Sequence, residues 1–145
     1  MGRVSKDVSP DSQPTSQRVV LRAGPISFSG MFSDKAISRA LLQQLPISST
    51  VNRWGDEIYF EVPVKMRNVQ PTMDVKVGDI AYWPEGPCLC IFFGRTPASQ
   101  RGEPRPASEV TIIGHTDTSV EHLRSITEGM KIVLDYARAT QNPQV

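Results

Sequence analysis

At 145 residues, with a net charge of +1 and a pI near 7.8, the chain has room for one domain core. It lacks the basic surplus that holds nucleic acid or anionic membrane by charge alone. No run approaches the ~20 apolar residues of a membrane-spanning helix, and the opening MGRVSKDVSPDSQPTSQ has no apolar signal core. The expectation is a cytoplasmic protein with neither nucleic-acid nor membrane partners.

Residues 1–17 are rich in Ser, Pro, Asp and Gln and carry too little apolar surface to offset ordering, so a disordered tail is expected there. From Arg18 the character changes. VVLR, the turn Ala23-Gly24-Pro25 and the alternating ISFSGMF predict a β-hairpin. Ser33 followed by DKAISRALLQQLP predicts a helix, with Ile37, Leu41 and Leu45 on one face and Pro46 as the stop. Residues 47–50 read as a linker. In VNRWGDEIYFEVPVK, the side chains of Ile58, Phe60, Val62 and Val64 share one parity and Tyr59 and Glu61 the other, which predicts a half-buried strand. Pro63 marks an edge or bulge late in it.

Residues 67–76 are irregular, and IAYW is a short strand closed by the turn residues Pro84 to Pro87. CLCIFF does not alternate, as expected of a strand covered on both faces. Cys88 and Cys90 lie on the same side of it, about 6.6 Å apart with parallel side chains, a poor geometry for a disulfide. They read as reduced packing residues. The 95–107 stretch RTPASQRGEPRPA is a long loop, VTII resumes extended structure, and Thr118 three residues before Glu121 predicts a second helix that Gly129 would end in the left-handed conformation. MKIVLDYA is a last strand, and residues 138–145 look like a flexible tail. Seven or eight short strands and two helices over residues 18–137 point to a sandwich or closed barrel, and helices suit a barrel whose ends need covers.

Three blocks, NRWGDEIYFEVPV, VGDIAYWPEGPCLCIFFGRTP and PASEVTIIG, resemble the small cyclophilin-like proteins of bacteria and archaea. The resemblance spans Arg18 to Ala137 and implies a mainly β fold, a closed eight-stranded barrel with two short capping helices. Kinship with cyclophilins raises prolyl isomerisation, yet fold does not fix function. The cyclophilin hallmarks, an F-H-R strand and a later Q-G-G-D, are absent, so no catalytic residue carries over.

The densest chemistry lies around Arg53 and Trp54 and between Tyr82 and Arg95. Trp54 beside Asp56 and Glu57 suits a cationic or peptidic ligand; the plainer reading is a packed Trp-Gly corner with solvated acids. Tyr82 and Trp83 form an aromatic wall that either stacks on a ligand or plugs a barrel end. Phe93 and Arg95 join an apolar floor to a cation suited to a carboxylate, against the plainer reading of a surface arginine. Trp83 and Arg95 flank one strand and should lie some 20 Å apart, so only an extended peptide would use both. Arg101 and Arg105 read as solvated loop residues. His115 has Asp117 nearby but no nucleophile, and His122 reads as helix surface. No metal, phosphate-loop, Rossmann or nucleophile-elbow signature occurs, so no cofactor is expected. The leading expectation is a domain binding a small molecule or peptide at the barrel rim, with Arg53, Trp54, Tyr82, Trp83, Phe93 and Arg95 as ligand-binding residues. A divergent peptidyl-prolyl isomerase using Arg53 or Arg95, and a structural or oligomerisation domain, are the alternatives.

Overall fold

A computed structural model describes residues 16–137. The expected tails lie outside these residues, except that Gln17 already opens the first strand. In chain order the elements are β1 (Gln17–Ala23), β2 (Ile26–Phe32), α1 (Ala36–Gln43), β3 (Ile47–Thr50), β4 (Asn52–Arg53), β5 (Glu57–Glu61), β6 (Asp79–Trp83), β7 (Cys88–Phe92), β8 (Thr111–His115), α2 (Val120–Arg124) and β9 (Lys131–Tyr136).

All neighbouring strands are antiparallel, in the order β3-β9-β1-β2-β8-β6-β7-β5-β4. The two ends of that order, β3 and β4, are consecutive in the chain and separated only by Val51. Ile47 pairs with Leu134 on β9, whereas Asn52 pairs with Tyr59 on β5. One extended segment therefore brings the sheet back on itself as a nearly closed barrel. Nine strands stand where eight were expected, and the difference is this stave, which changes partner halfway. Residues 47–50 are accordingly a strand and not a linker. Their Ser-Ser-Thr run hides the alternation, because only Ile47 and Val51 of the segment turn inward and are buried.

The β1–β2 hairpin forms as expected, with Gly24 at a φ of +58° in its turn, a conformation that a β-carbon disfavours. Both helices exist, but neither starts on the predicted cap. The Ser33 hydroxyl donates to the Ile113 carbonyl at 3.0 Å, and Lys35 at the α1 cap position caps nothing with its side chain, whose ammonium donates to the Ile112 carbonyl at 2.6 Å. In α2, Ser119 accepts from the His122 N–H at 3.2 Å, while Thr118 turns to Thr116. Gly129 is left-handed, but it serves the turn into β9 and donates to the Val51 carbonyl at 2.9 Å; the helix has already ended at Arg124. For Ser33 and Gly129 a tertiary partner outcompetes the local one, whereas Thr118 is taken by a neighbour two residues back.

The barrel interior holds one apolar core, to which β5 contributes Ile58 and Phe60, β6 Ile80 and Tyr82, β7 Leu89 and Ile91, α1 Ile37 and Leu41, and α2 Leu123. A second apolar cluster lies on the opposite parity of the same strands: Val75, Ala81, Cys88, Cys90, Phe92 and Val110, with Tyr59, Trp83 and Ile112 packed against it. All five residues of β7 are buried. The unbroken apolar run of this strand thus has the cause expected of it, a barrel core on one face and a covering layer on the other.

A candidate binding cavity on the outer wall of the barrel

Period-two alternation sends Glu57 and Tyr59 of β5 outward, while Ile58 and Phe60 go inward. The same rule turns Cys90 and Trp83 outward from β7 and β6. These four side chains face one cavity of about 220 Å³, completed by Trp54, Pro106, Ala107 and Val110. The cavity lies on the outer wall, between the sheet and the returning 95–110 segment, and not at a barrel rim.

The covering segment is more ordered than its composition suggests. The Thr96 hydroxyl donates to the Arg105 carbonyl at 2.6 Å, tying the loop's two ends together. The Glu103 carboxylate accepts from the N–H groups of Gln100 and Arg101 at 3.1 and 2.8 Å, and the Ser99 hydroxyl donates to the Glu103 carbonyl. Pro104 and Pro106 are buried. These features describe a compact Ω-type loop where a long solvated loop was expected. Arg101 is exposed and Arg105 half-buried, and neither lines the cavity. The Trp83 indole N–H donates to the Ser108 hydroxyl at 2.7 Å, and that hydroxyl donates to Glu85 at 3.0 Å. Trp83 is thereby fixed as a wall.

Of the predicted site residues, the cavity gathers Trp54 and Trp83. Tyr59 and Trp83 meet edge to face, with centroids 6.2 Å apart and planes at 82°. Tyr82 belongs to the barrel core: it is 0% exposed, its hydroxyl donates to the Val64 carbonyl at 2.6 Å and accepts from the Met66 N–H at 3.0 Å. Of the two aromatics in the expected wall, only Trp83 therefore faces the cavity. Phe93 is also core, 1% exposed, and the Arg53 guanidinium lies 5.3 Å from its ring centroid. Arg53 itself donates to the carbonyls of Gly55, Arg124 and Ile126 at 3.0, 3.2 and 2.8 Å. It ties the barrel end together and does not line the cavity.

Arg95 contributes through its backbone. Its carbonyl accepts from the Asp56 N–H at 2.7 Å, while its side chain is exposed and away from the cavity lining. Gly55, between Trp54 and Asp56, is at φ +63°, and a β-carbon there would stand 2.7 Å from that same carbonyl oxygen. Only glycine lets the Trp54 corner pack this closely on the exit of β7.

Asp56 and Glu57 diverge, as neighbours in an extended chain must. Asp56 pairs with Arg124 at 2.9 Å and with Arg53 at 3.5 Å. Glu57 was expected to be a solvated turn residue, yet it is 5% exposed on the cavity floor. Among the described residues no cation pairs with it. Burial pushes its carboxyl up from the ordinary 4.5 to about 7, opposed by a hydrogen bond with the Cys90 side chain. Burial likewise holds the Cys90 thiol well above its usual range. The signal that could have found Glu57 is its parity with Tyr59 on β5; what was missing is knowledge that this face is covered. Cys88 and Cys90 are both unbonded.

His115 reaches Asp117 at 3.1 Å but stays exposed, and the His122 ring nitrogen lies 3.1 Å from the Ser27 carbonyl. No group of three or more metal-ligating side chains occurs among the described residues. No helix among them is long and apolar enough to cross a membrane.

The family model described as cyclophilin-like matches residues 17–135. The solution structure of the hypothetical protein AF2241 from Archaeoglobus fulgidus is similar to this chain, with a TM-score of 0.73 and 36% identity over 84% of this chain and 95% of the archaeal one. No curated protein matches. The archaeal relative has the same fold and brings no activity with it. From the match over residues 17–135, the chain belongs to the cyclophilin-like family.

Proposed function

We propose that this cyclophilin-like domain binds a small molecule, or one side chain of a peptide, in the outer-wall cavity, and that it has no cyclophilin-type isomerase activity. The observation that carries this reading is the cavity itself: three aromatic side chains, Trp54, Tyr59 and Trp83, stand around a buried carboxylate that has no cationic partner among the described residues. Burying an ionisable group without a partner is costly, and such groups concentrate where a ligand completes them. A volume of about 220 Å³ is below the ~300–1,000 Å³ of clefts for drug-sized ligands, so the ligand or inserted group is small.

The position of the arginines supports the non-catalytic half of the reading. Isomerising an X-Pro bond means lowering a barrier of about 20 kcal/mol, and both arginines expected as amide-nitrogen donors are elsewhere: Arg53 is bound to carbonyls and to Asp56, and the Arg95 side chain lies off the lining. Two measurements test the proposal. Indole resonances of Trp54 and Trp83 should shift together when a fragment panel is titrated in, and Trp83→Ala should abolish the shift at Trp54; a panel that moves neither resonance refutes binding. Exchange rates of an X-Pro peptide measured by NMR should equal the uncatalysed ones, and acceleration would restore the isomerase reading.

A further inference from the structure

The Glu57 floor and the aromatic walls define which ligand the cavity accepts. We infer that the cavity takes a methylated ammonium group, carried by a free quaternary amine or by a methylated lysine side chain, held against the faces of Trp54, Tyr59 and Trp83 and by the Glu57 carboxylate. The inference rests on the cavity being a binding site, as proposed above, and adds the chemical class of its occupant.

Charge comes first. Anions are excluded, because Glu57 is the carboxyl on the floor, no cationic side chain lines the cavity, and the nearby guanidinium groups point elsewhere: Arg53 to three carbonyls and Asp56, Arg124 to Asp56. A cation entering the cavity gives the carboxylate the partner it lacks. Removed from water, such a pair is worth more than on the surface, and the deprotonated carboxylate becomes the favoured form once the cation is in place.

Shape comes second. Tyr59 and Trp83 stand at 82° to each other, forming a corner, and Trp54 adds a further wall. Aromatic faces arranged around a point attract a cation through their quadrupoles, by about 0.5–2 kcal/mol each when desolvated. Pro106, Ala107 and Val110, none of which carries a polar side chain, close the remaining sides, which suits methyl groups.

Hydrogen-bond capacity separates methylated from primary amines. A primary ammonium has three donors to satisfy. The side-chain oxygen acceptors lining the cavity are the Glu57 carboxylate and the Tyr59 hydroxyl, and the one indole N–H with an assigned partner there, on Trp83, is itself a donor already given to Ser108. Replacing N–H by N–CH₃ removes the unmet donors and keeps the charge. A trimethylammonium head also matches the small volume, which leaves little room for more than the head and the start of its stem.

The test uses the full chain at pH 8 and low salt, with two probes of one shape: choline, and its uncharged carbon isostere 3,3-dimethylbutan-1-ol. Binding is read from the indole resonances of Trp54 and Trp83. Choline should bind at least tenfold more tightly than the isostere, a difference of about 1.4 kcal/mol. Glu57→Gln should lower choline affinity at least tenfold while leaving the isostere unchanged, and Trp54→Ala should weaken choline more than the isostere. Unfolding midpoints of both variants confirm that they are folded, and two variants on different elements keep the test decisive if one is not. An acetylated and amidated trimethyllysine peptide distinguishes the sources: tighter than choline assigns a protein side chain, weaker assigns a free amine. Equal binding of choline and isostere, or a Glu57→Gln variant that binds choline as before, overturns the ammonium inference and leaves the cavity reading standing. The inference also falls if choline and the peptide are inert while neutral fragments move both indoles. Should nothing move either indole, both readings fall.

Discussion

Leu89, Ile91 and Phe93 turn into the barrel and Cys88, Cys90 and Phe92 turn out of it; both rows are buried, yet the two surfaces are finished differently. On the inner side, strands on every side and the two helices supply apolar partners, and the one polar aromatic, Tyr82, has both a donor and an acceptor for its hydroxyl. On the outer side the cover is an Ω-type loop held by its own hydrogen bonds and tied to the sheet at the Trp83–Ser108 and Asp56–Arg95 bonds, without a β-ladder to set its distance from the sheet. That cover leaves a cavity under it, with Glu57 on its floor and no cation paired to it among the described residues. Ladder-bonded layers pack to crystal-like density, whereas a loop laid over a sheet can afford a void. The stability of this molecule is therefore expected to reside inside the barrel and its ligand chemistry outside.

The sharpest way to break that contrast is to truncate the inner face. Phe60→Ala removes a side chain with 0% exposure and should cost about 3–5 kcal/mol, read as a lowered denaturant midpoint, with the Trp54 and Trp83 indole environments retained in the folded fraction. A cost below 1 kcal/mol would show that the inner core is not the stabilising layer.

The outer face makes the opposite prediction for its buried acid. The Glu57 pKa is about 7 in the folded protein against an ordinary 4.5, so between those pH values the unfolded chain has lost a proton that the folded one keeps. Stability attributable to this group is undiminished below about pH 4.5, falls as pH rises through 7, and is lower by about 3 kcal/mol above that. Glu57→Gln should therefore stabilise the domain at pH 8 and leave it unchanged at pH 4. Urea unfolding at the two pH values checks this, and equal effects at both would mean that Glu57 is not held desolvated.

A smaller loss is expected at Tyr82. Tyr82→Phe leaves the Val64 carbonyl and the Met66 N–H without their partner, which should cost about 1–3 kcal/mol without altering probe binding in the cavity. Weakened binding would place Tyr82 back in the ligand site. Smallest of all is Arg95→Ala, which should change neither the unfolding midpoint nor any titration, because the Arg95 contact that positions the Trp54 corner is its carbonyl.

Much of this architecture is legible along the chain. The alternation through Ile58, Phe60, Val62 and Val64 marks the inner face of β5, the unbroken CLCIFF run marks a strand covered twice, and the quoted sequence blocks carry the family resemblance. Where the local signal pointed elsewhere, long-range partners had intervened: Ser33 caps no helix because Ile113 takes its hydroxyl, and Ser48 to Thr50 lie in a strand because β9 pairs with them.

For the site, the sequence by itself determined which side chains share a parity, and hence that Asp56 and Glu57 diverge and that Trp83 and Arg95 flank one strand. Only the tertiary structure decided which parity is covered. The 95–110 segment returns across the outer wall, placing Pro106 and Ala107 over Glu57 and Tyr59 and leaving Asp56 to Arg53 and Arg124. Alternation is a property of neighbours one and two residues apart. Burial depends on a segment far along the chain coming back, and no local pattern in β5 records that it does.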